Sequence, residues 1–264
     1  MRMVVHAGFH KTGTTSIQHM LRRNGRKIAR YYRVLTRRQM LATCEAARAF
    51  SLGQSTADLG LFTFELAQLF ETLDPADPRP VLISAEDLSG HMPGRFGLTG
   101  YDAAPRLMAT LEEVAQACLP GLDLHLVFTT RAAAPWLRST YAQHVRAIRF
   151  TEAHDTYLAR MAEHADLSAW AARIDAATSA PVTIAPLETH GAGRLGPLTA
   201  LLDVAGAPAA LRDRLTPLPP ANPSFPDHVI AEMLALNRSD MDHDDWVAAK
   251  KQLMEAWRAQ IAAP

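Results

Sequence analysis

Cysteine, lysine and long apolar runs are all scarce in this chain of 264 residues. Its two cysteines, Cys44 and Cys118, are too few for a metal site of their own and predict buried thiols in a reducing compartment. No stretch approaches the roughly 18 apolar residues of a membrane-spanning helix, and the apolar run near the N-terminus is shorter than that of a signal peptide. We therefore expect a cytoplasmic protein without a membrane span.

An excess of one charge is also missing, because 27 lysines and arginines balance 27 aspartates and glutamates. Nucleic-acid-binding domains usually carry a basic excess, so this balance argues against nucleic acid as a partner. Only four of the cations are lysines, and Lys11 alone among them lies in a loop between two glycines. That position marks the loop as a candidate site.

Short apolar segments alternate with helical patterns along the chain. The predicted strands are 3–7, 80–84, 122–130 and 181–185, and the predicted helices are one starting near residue 14 and others at 36–50, 60–73, 103–118, 134–148, 152–177, 195–205 and 227–262. This alternation predicts an α/β fold, a parallel β-sheet flanked by helices in a three-layer, P-loop-like nucleotide-binding architecture. We expect one domain over residues 1–264, with a helical insertion at 31–78 and a C-terminal helical segment at 227–262.

The loop Gly8–Thr15 follows the first predicted strand and reads Gly-Phe-His-Lys-Thr-Gly-Thr-Thr. Its glycines have the spacing of the triphosphate loop G-x-x-x-x-G-K-[ST], with Thr15 in the hydroxyl position but Thr14 in place of the lysine. The backbone N–H groups of such a loop, together with the start of the next helix, form a cradle for an anion. The loop is predicted to bind phosphate, yet it lacks the lysine that would span the β- and γ-phosphates of ATP.

The stretch His6–Gln18 resembles the phosphosulfate-binding loop of bacterial sulfotransferases, which use 3′-phosphoadenosine 5′-phosphosulfate (PAPS). A second similarity to that family is Arg131 at the end of a predicted strand, with Ser139 eight residues later in the next predicted helix. The likeness continues with lower specificity through residues 84–88, 187–188 and 222–224. Together these segments extend over most of the chain.

The resemblance implies a sulfotransferase that moves a sulfuryl group from PAPS to a hydroxyl or amine and needs no metal. Lys11 would neutralise charge on the departing 5′-phosphate, and Glu86 would act as the general base, with His10 as a rival base. Arg131 and Ser139 would hold the 3′-phosphate, since a guanidinium can contact a phosphate through two hydrogen bonds. The full set implied to bind the donor is Lys11, Thr12, Gly13, Thr14, Thr15, Arg131, Ser139, Asn222 and Ser224.

Several alternatives remain open from the sequence. The chain could be a small-molecule kinase that uses Mg-ATP, or a non-catalytic relative that binds a nucleotide. His6 is more typical of a buried core histidine than of a base, and Asn222 and Ser224 are either donor contacts or turn residues. Ser16 and Ile17 stand where many sulfotransferases have an aromatic residue that stacks on adenine. The expected acceptor is a small molecule, a carbohydrate or a lipid, and the oligomeric state is left open.

Overall fold

The computed structural model describes residues 1–219 and 224–262, and its core is one parallel sheet. The five strands are β1 (Arg2–His6), β2 (Arg33–Thr36), β3 (Val81–Ser84), β4 (Asp123–Thr130) and β5 (Val182–Pro186). Their order across the sheet is β2-β3-β1-β4-β5, and every pair is parallel. Val5 of β1 lies opposite Ile83 of β3 on one side and Leu126 of β4 on the other. The predicted α/β class with a parallel sheet is confirmed.

Helices connect and cover these strands. They are α1 (Thr14–Arg23), α2 (Gly25–Ile28), α3 (Leu41–Gly53), α4 (Thr56–Glu71), α5 (Ala104–Cys118), α6 (Ala133–Ala147), α7 (His154–Met161), α8 (Leu167–Asp175), α9 (Leu187–His190), α10 (Leu198–Val204), α11 (Ala209–Arg214), α12 (Asp227–Arg238) and α13 (His243–Ala262). Short 3-10 turns lie at Arg37–Gln39, Glu86–Ser89 and Ala162–His164.

Successive strand residues point to opposite faces of the sheet, and helices cover both faces, so the fold has three layers. Val4, Leu82 and Val127 point to one face, where they pack with apolar residues of α1, α2, α10 and α11. Val5 and Leu126 point to the other face, under α3, α4, α5, α6 and α8. The three-layer architecture is therefore as predicted.

The chain reverses its direction across the sheet at the carboxyl ends of β1 and β4. From β1 it passes through α1 to β2 on one side, and from β4 it passes through α6 to β5 on the other. Open α/β sheets bind their ligands in the crevice at such a point. The loop Gly8–Thr15 and Arg131 both lie there, one after each strand.

The predicted helical insertion at 31–78 is wrong at its start, where Arg33–Thr36 forms the edge strand β2. This strand is only four residues long and mostly half-buried, so it leaves no clear alternation in the sequence. The helix predicted at 36–50 begins instead at Leu41, after a 3-10 turn in which the N–H and hydroxyl of Thr36 both donate to Oε1 of Gln39. The helix predicted at 60–73 begins earlier, at Thr56, because Ser55 caps it by accepting from the N–H of Asp58.

Two long predicted helices are also divided in the structure. The stretch 152–177 contains α7, a 3-10 turn and α8, and Asp166 caps α8 through the N–H groups of Ser168 and Ala169. The C-terminal segment 227–262 is helical as expected but breaks between Arg238 and His243 into α12 and α13. Within the described ranges, no helix is long and apolar enough to cross a bilayer.

Candidate functional site: a cationic cavity beside the β1–α1 loop

The loop between β1 and α1 holds three residues in left-handed backbone conformations. Gly8 has φ +25° and Gly13 has φ +99°, values that glycine adopts with little cost. A Cβ on Gly13 would lie 3.0 Å from Cγ of Pro197 and 3.1 Å from Cδ1 of Leu187, so the position also lacks space for a side chain. Lys11 has φ +68°, which costs a non-glycine residue about 1–2 kcal/mol. Such strain at a non-glycine residue is typical of functional sites.

The start of α1 is suited to an anion. No side chain caps this helix and no acidic residue lies in its first turn, so its first N–H groups have no partner within the helix. The hydroxyl of Thr14 is buried, at 3% exposure for the residue, and finds no hydrogen-bond partner among the described atoms. It faces the loop, because a Cβ built on Gly8 would lie 3.1 Å from it. Helix dipole, free N–H groups and a free hydroxyl together favour an oxyanion here.

A buried polar chain supports the loop from beneath. The Thr12 hydroxyl donates to the carbonyl of Phe9 at 2.5 Å and lies 2.7 Å from Oγ1 of Thr129. His6 then bridges strands, with Nε2 3.1 Å from the same Thr129 oxygen and Nδ1 3.0 Å from Oγ of Ser84. Burial lowers the pKa of His6 to about 4, so it is neutral, as expected of a core histidine. The Thr12 hydroxyl is thus engaged inside the protein, which leaves only its backbone N–H for a ligand.

Three partly buried cations gather beside the loop: Lys11, Arg131 and Arg146, hereafter the cation cluster. Arg131 donates to the carbonyl of Lys11 at 3.4 Å. Lys11 Nζ and Arg146 Nη2 donate to one atom, Oε1 of Gln143, at 3.3 and 2.6 Å. Within residues 1–219 and 224–262, no carboxylate oxygen lies within 4.0 Å of these three cations.

Burial acts on all three cations, and the two arginines also repel Lys11. Burial lowers the pKa of Lys11, the charges of Arg146 and Arg131 lower it further, and Glu86 partly opposes them. Burial also lowers the pKa of Arg131, which the charge of Glu188 partly opposes, and that of Arg146, which the charge of Arg258 lowers further. Desolvated like charges that no carboxylate contacts directly destabilise the folded protein. An anionic ligand would relieve that cost.

The cation cluster opens into a cavity of about 1160 Å³ between α6, α7, α12 and α13. Lys11, Arg131, Ser139 and Ser224 all line it, so four residues to which the family resemblance gives a role in donor binding meet in one space. Asn222 lies outside the described residues. Thr15 is exposed at the start of α1.

Glu86 lies on the other side of the loop, directly after β3. Its Oε2 accepts from the side-chain amide of Gln18 at 3.0 Å, and the same amide donates to the carbonyl of Ser84 at 3.1 Å. The carboxylate is half-buried and close enough to raise the pKa of Lys11. A hydrogen-bonded carboxylate beside a lysine can receive a proton from a bound hydroxyl or amine.

His10 is held by protein groups on both ring nitrogens. Nδ1 lies 3.2 Å from the Tyr101 hydroxyl, which also accepts from the His10 N–H at 2.9 Å, and Nε2 lies 3.5 Å from Oδ1 of Asp87. Burial would raise the pKa of Asp87, but hydrogen bonds and charges from His10 and Arg37 lower it to about 2. Arg37 Nε donates to that carboxylate at 2.5 Å. These contacts leave Glu86 the less engaged of the two candidate bases.

Sequence reasoning missed Gln143 and Arg146. They follow Ser139 at spacings of four and seven residues, so all three share one face of α6. That spacing is visible in the sequence, although it does not say that the face borders a cavity.

Comparison with protein-family models, with curated proteins and with solved structures gave no match to this chain. Among the described side chains, no group of three or more histidines, cysteines, aspartates and glutamates is arranged to hold a metal ion.

Proposed function

We propose that the protein is a PAPS-dependent sulfotransferase that acts on a hydroxyl or amine. The observation that carries this proposal is the cation cluster, which lies beside the β1–α1 loop with no carboxylate oxygen within 4.0 Å among the described residues. PAPS carries a phosphate at the 3′ position of its ribose and a phosphosulfate at the 5′ position, and two separate cationic positions suit these two groups. The loop and Lys11 supply one such position, and Arg131 with Ser139 supplies the other.

The donor would lie across the carboxyl ends of β1 and β4. Its 5′-phosphate would accept from the first N–H groups of α1, from the backbone of Thr12 and Gly13, and from the hydroxyls of Thr14 and Thr15. Its 3′-phosphate would meet Arg131 and Ser139 in the cavity wall. Ser224, in the same wall, would approach the nucleotide from the opposite side of the cavity.

Transfer needs one bond to form at sulfur as another breaks. An acceptor oxygen or nitrogen attacks the sulfur, the bond from sulfur to the bridging oxygen breaks, and its electron pair stays on the 5′-phosphate. Lys11 stabilises that developing charge, and Glu86 takes the proton that the acceptor loses. The products are the sulfated acceptor and 3′-phosphoadenosine 5′-phosphate (PAP).

A kinase that uses Mg-ATP is the second candidate, and two features disfavour it. Thr14 occupies the position of the phosphate-spanning lysine. Asp87, one of the two acids that follow β3, is already engaged by Arg37 and His10. A nucleotide-binding protein without catalysis would show the same donor site but would not need Glu86.

The proposed acceptor is a small molecule, a carbohydrate or a lipid. The two cysteines are free thiols, which fits the proposed cytoplasmic location.

The test is transfer from sulfur-labelled PAPS to a panel of alcohols, phenols, sugars and amines. We expect the wild type to label at least one acceptor, and Glu86→Gln to lose 100-fold or more in rate while still binding PAP. Glu113→Gln, an exposed glutamate on α5, is the matched control and keeps full activity. Wild-type rates in Glu86→Gln would remove Glu86 from the mechanism. PAP binding with no labelled product from any acceptor would favour the non-catalytic alternative.

A further inference from the structure

Two cations share one neutral oxygen in the cavity wall. Lys11 Nζ and Arg146 Nη2 both donate to Oε1 of Gln143. An amide oxygen carries only a partial negative charge, so it satisfies their hydrogen bonds without balancing their charge. When Lys11 engages the donor, Arg146 still lacks an anionic partner among the described residues.

Arg146 lies beside Lys11 but away from the groups assigned to the 3′-phosphate. Its guanidinium shares Oε1 of Gln143 with Lys11 Nζ. Arg131 and Ser139 hold the 3′-phosphate, and the backbone of Arg146 lies seven residues beyond Ser139, about 10 Å along the helix axis. Arg258 of α13 lines the same cavity, and its charge lowers the pKa of Arg146. Positive charge therefore continues past the donor site.

The cavity is also larger and more apolar than one nucleotide requires. Its volume of about 1160 Å³ exceeds the roughly 300–1,000 Å³ of a site for one small molecule. Beyond the cation cluster its wall is formed by apolar side chains, among them Tyr141, Leu158, Ile230, Leu234 and Trp257. A second molecule that fills this part buries apolar surface.

We propose that Arg146 binds an anionic group of the acceptor, whose apolar body lies along the cavity wall between α6, α7 and α12. The acceptor is thus an anionic amphiphile: an apolar chain or ring system that carries a carboxylate, sulfate or phosphate besides its reacting hydroxyl or amine. This inference rests on the proposed function, since it assigns Arg131 and Ser139 to the donor. Arg146 then determines specificity and takes no part in donor binding.

Decanoate and decan-1-ol serve as an anionic and a neutral probe of the same chain length. Their binding is measured by calorimetry below micellar concentrations, with and without saturating PAP. We expect decanoate to bind the wild type with PAP present, and Arg146→Gln to weaken it tenfold or more. Arg138→Gln is the matched control, because Arg138 lines the same cavity on α6 but is already paired with Asp227 at 2.8 Å. In that control the change should stay within threefold.

Affinity for PAP separates this inference from the proposed function. We expect Arg146→Gln to keep wild-type affinity for PAP, which also shows that it folds, and Arg131→Gln to lose it. Equal loss of PAP affinity in both variants would place Arg146 in the donor site and overturn the inference. So would decanoate that fails to bind the wild type, or that binds Arg146→Gln equally well. If PAP does not bind the wild type at all, the proposed function fails. An anion that binds at Arg146 could then not be assigned to an acceptor, so the inference fails as well.

Discussion

Replacing Lys11 separates its charge from its strained backbone. The residue has φ +68°, and its ammonium lies within the cation cluster. Lys11→Ala removes the amine but keeps a Cβ in the left-handed conformation. Lys11→Gly removes the amine and the Cβ together. The two variants therefore share every effect of the lost charge and differ in the backbone alone.

The magnitudes follow from these two contributions. A left-handed conformation costs a residue with a Cβ about 1–2 kcal/mol. Glycine avoids that cost but loses about 0.5–1 kcal/mol more than alanine on folding, because its unfolded chain has more conformational entropy. We expect Lys11→Gly to be more stable than Lys11→Ala by about 0.5–1 kcal/mol, or roughly 2 °C in melting temperature for a chain of this size. Because the charged lysine is desolvated beside Arg131 and Arg146, neither variant should be less stable than the wild type.

Both substitutions should lower the rate of sulfuryl transfer although they do not lower the stability of the protein. Loss of one group that stabilises charge in a transition state costs about 10²–10³ in rate, so both variants should lose that much sulfuryl transfer from PAPS. Thermal melting and the labelled-PAPS assay measure the two effects on the same samples. Transfer within tenfold of the wild type in either variant would refute the role of Lys11. A Lys11→Ala protein as stable as Lys11→Gly would refute the backbone argument.

Three further predictions concern the support of the site. Gly13→Ala would place a Cβ 3.0 Å from Cγ of Pro197 at φ +99°, so we expect a loss of about 1–2 kcal/mol in denaturant titration and weaker PAP binding; an unchanged unfolding midpoint would contradict this. His6 has a folded-state pKa of about 4 against an ordinary 6.5, so the unfolded state binds the proton more strongly and stability falls as pH drops from 6.5 to 4. That loss is about 3 kcal/mol by pH 4 for this residue, and His6→Gln should remove it from a series of melts across that range. Lys250 is buried, donates to two carbonyls at the C-terminal end of α6 and to a buried amide oxygen, and has its pKa lowered to about 8, first by burial and then by the charge of Arg146. The free energy of unfolding of the wild type should therefore rise from pH 8 to 10.5 relative to that of Lys250→Met. At neutral pH the Lys250→Met variant should be less stable than the wild type by about 2 kcal/mol, because it leaves buried hydrogen-bond acceptors unpaired. Parallel pH profiles of the two proteins would contradict the lowered pKa of Lys250.

The sheet could be predicted wherever a strand carries a clear apolar run. β1, β3 and β4 each contain three consecutive apolar residues and β5 reads Val-Thr-Ile-Ala-Pro. The residues just after β1, β3 and β4 mark the carboxyl edge where the loop, Glu86 and Arg131 lie. β2 could not be predicted, because Arg33–Thr36 has only two consecutive apolar residues and its structure depends on pairing with Val81–Ser84, far along the chain.

The interior of the site depended on contacts between distant residues. The Thr12 hydroxyl turns inward because Thr129 of β4 offers it a partner, and nothing in the loop sequence indicates this. Arg146 and Gln143 belong to the cavity because α12 and α13 pack beside α6 and leave a space there. Helical spacing alone cannot distinguish a face that borders a cavity from one that faces solvent.

Binding of the PAPS nucleotide by the loop, Lys11 and Arg131 is tested most directly by the melting temperature of the wild type with PAP in metal-free buffer and, separately, with Mg-ATP. A ligand at 100 times its Kd adds about 2.7 kcal/mol of stability, which such a melt detects readily. We predict that PAP raises the melting temperature without metal and that Mg-ATP does not. Stabilisation by Mg-ATP alone would contradict the account and indicate a kinase.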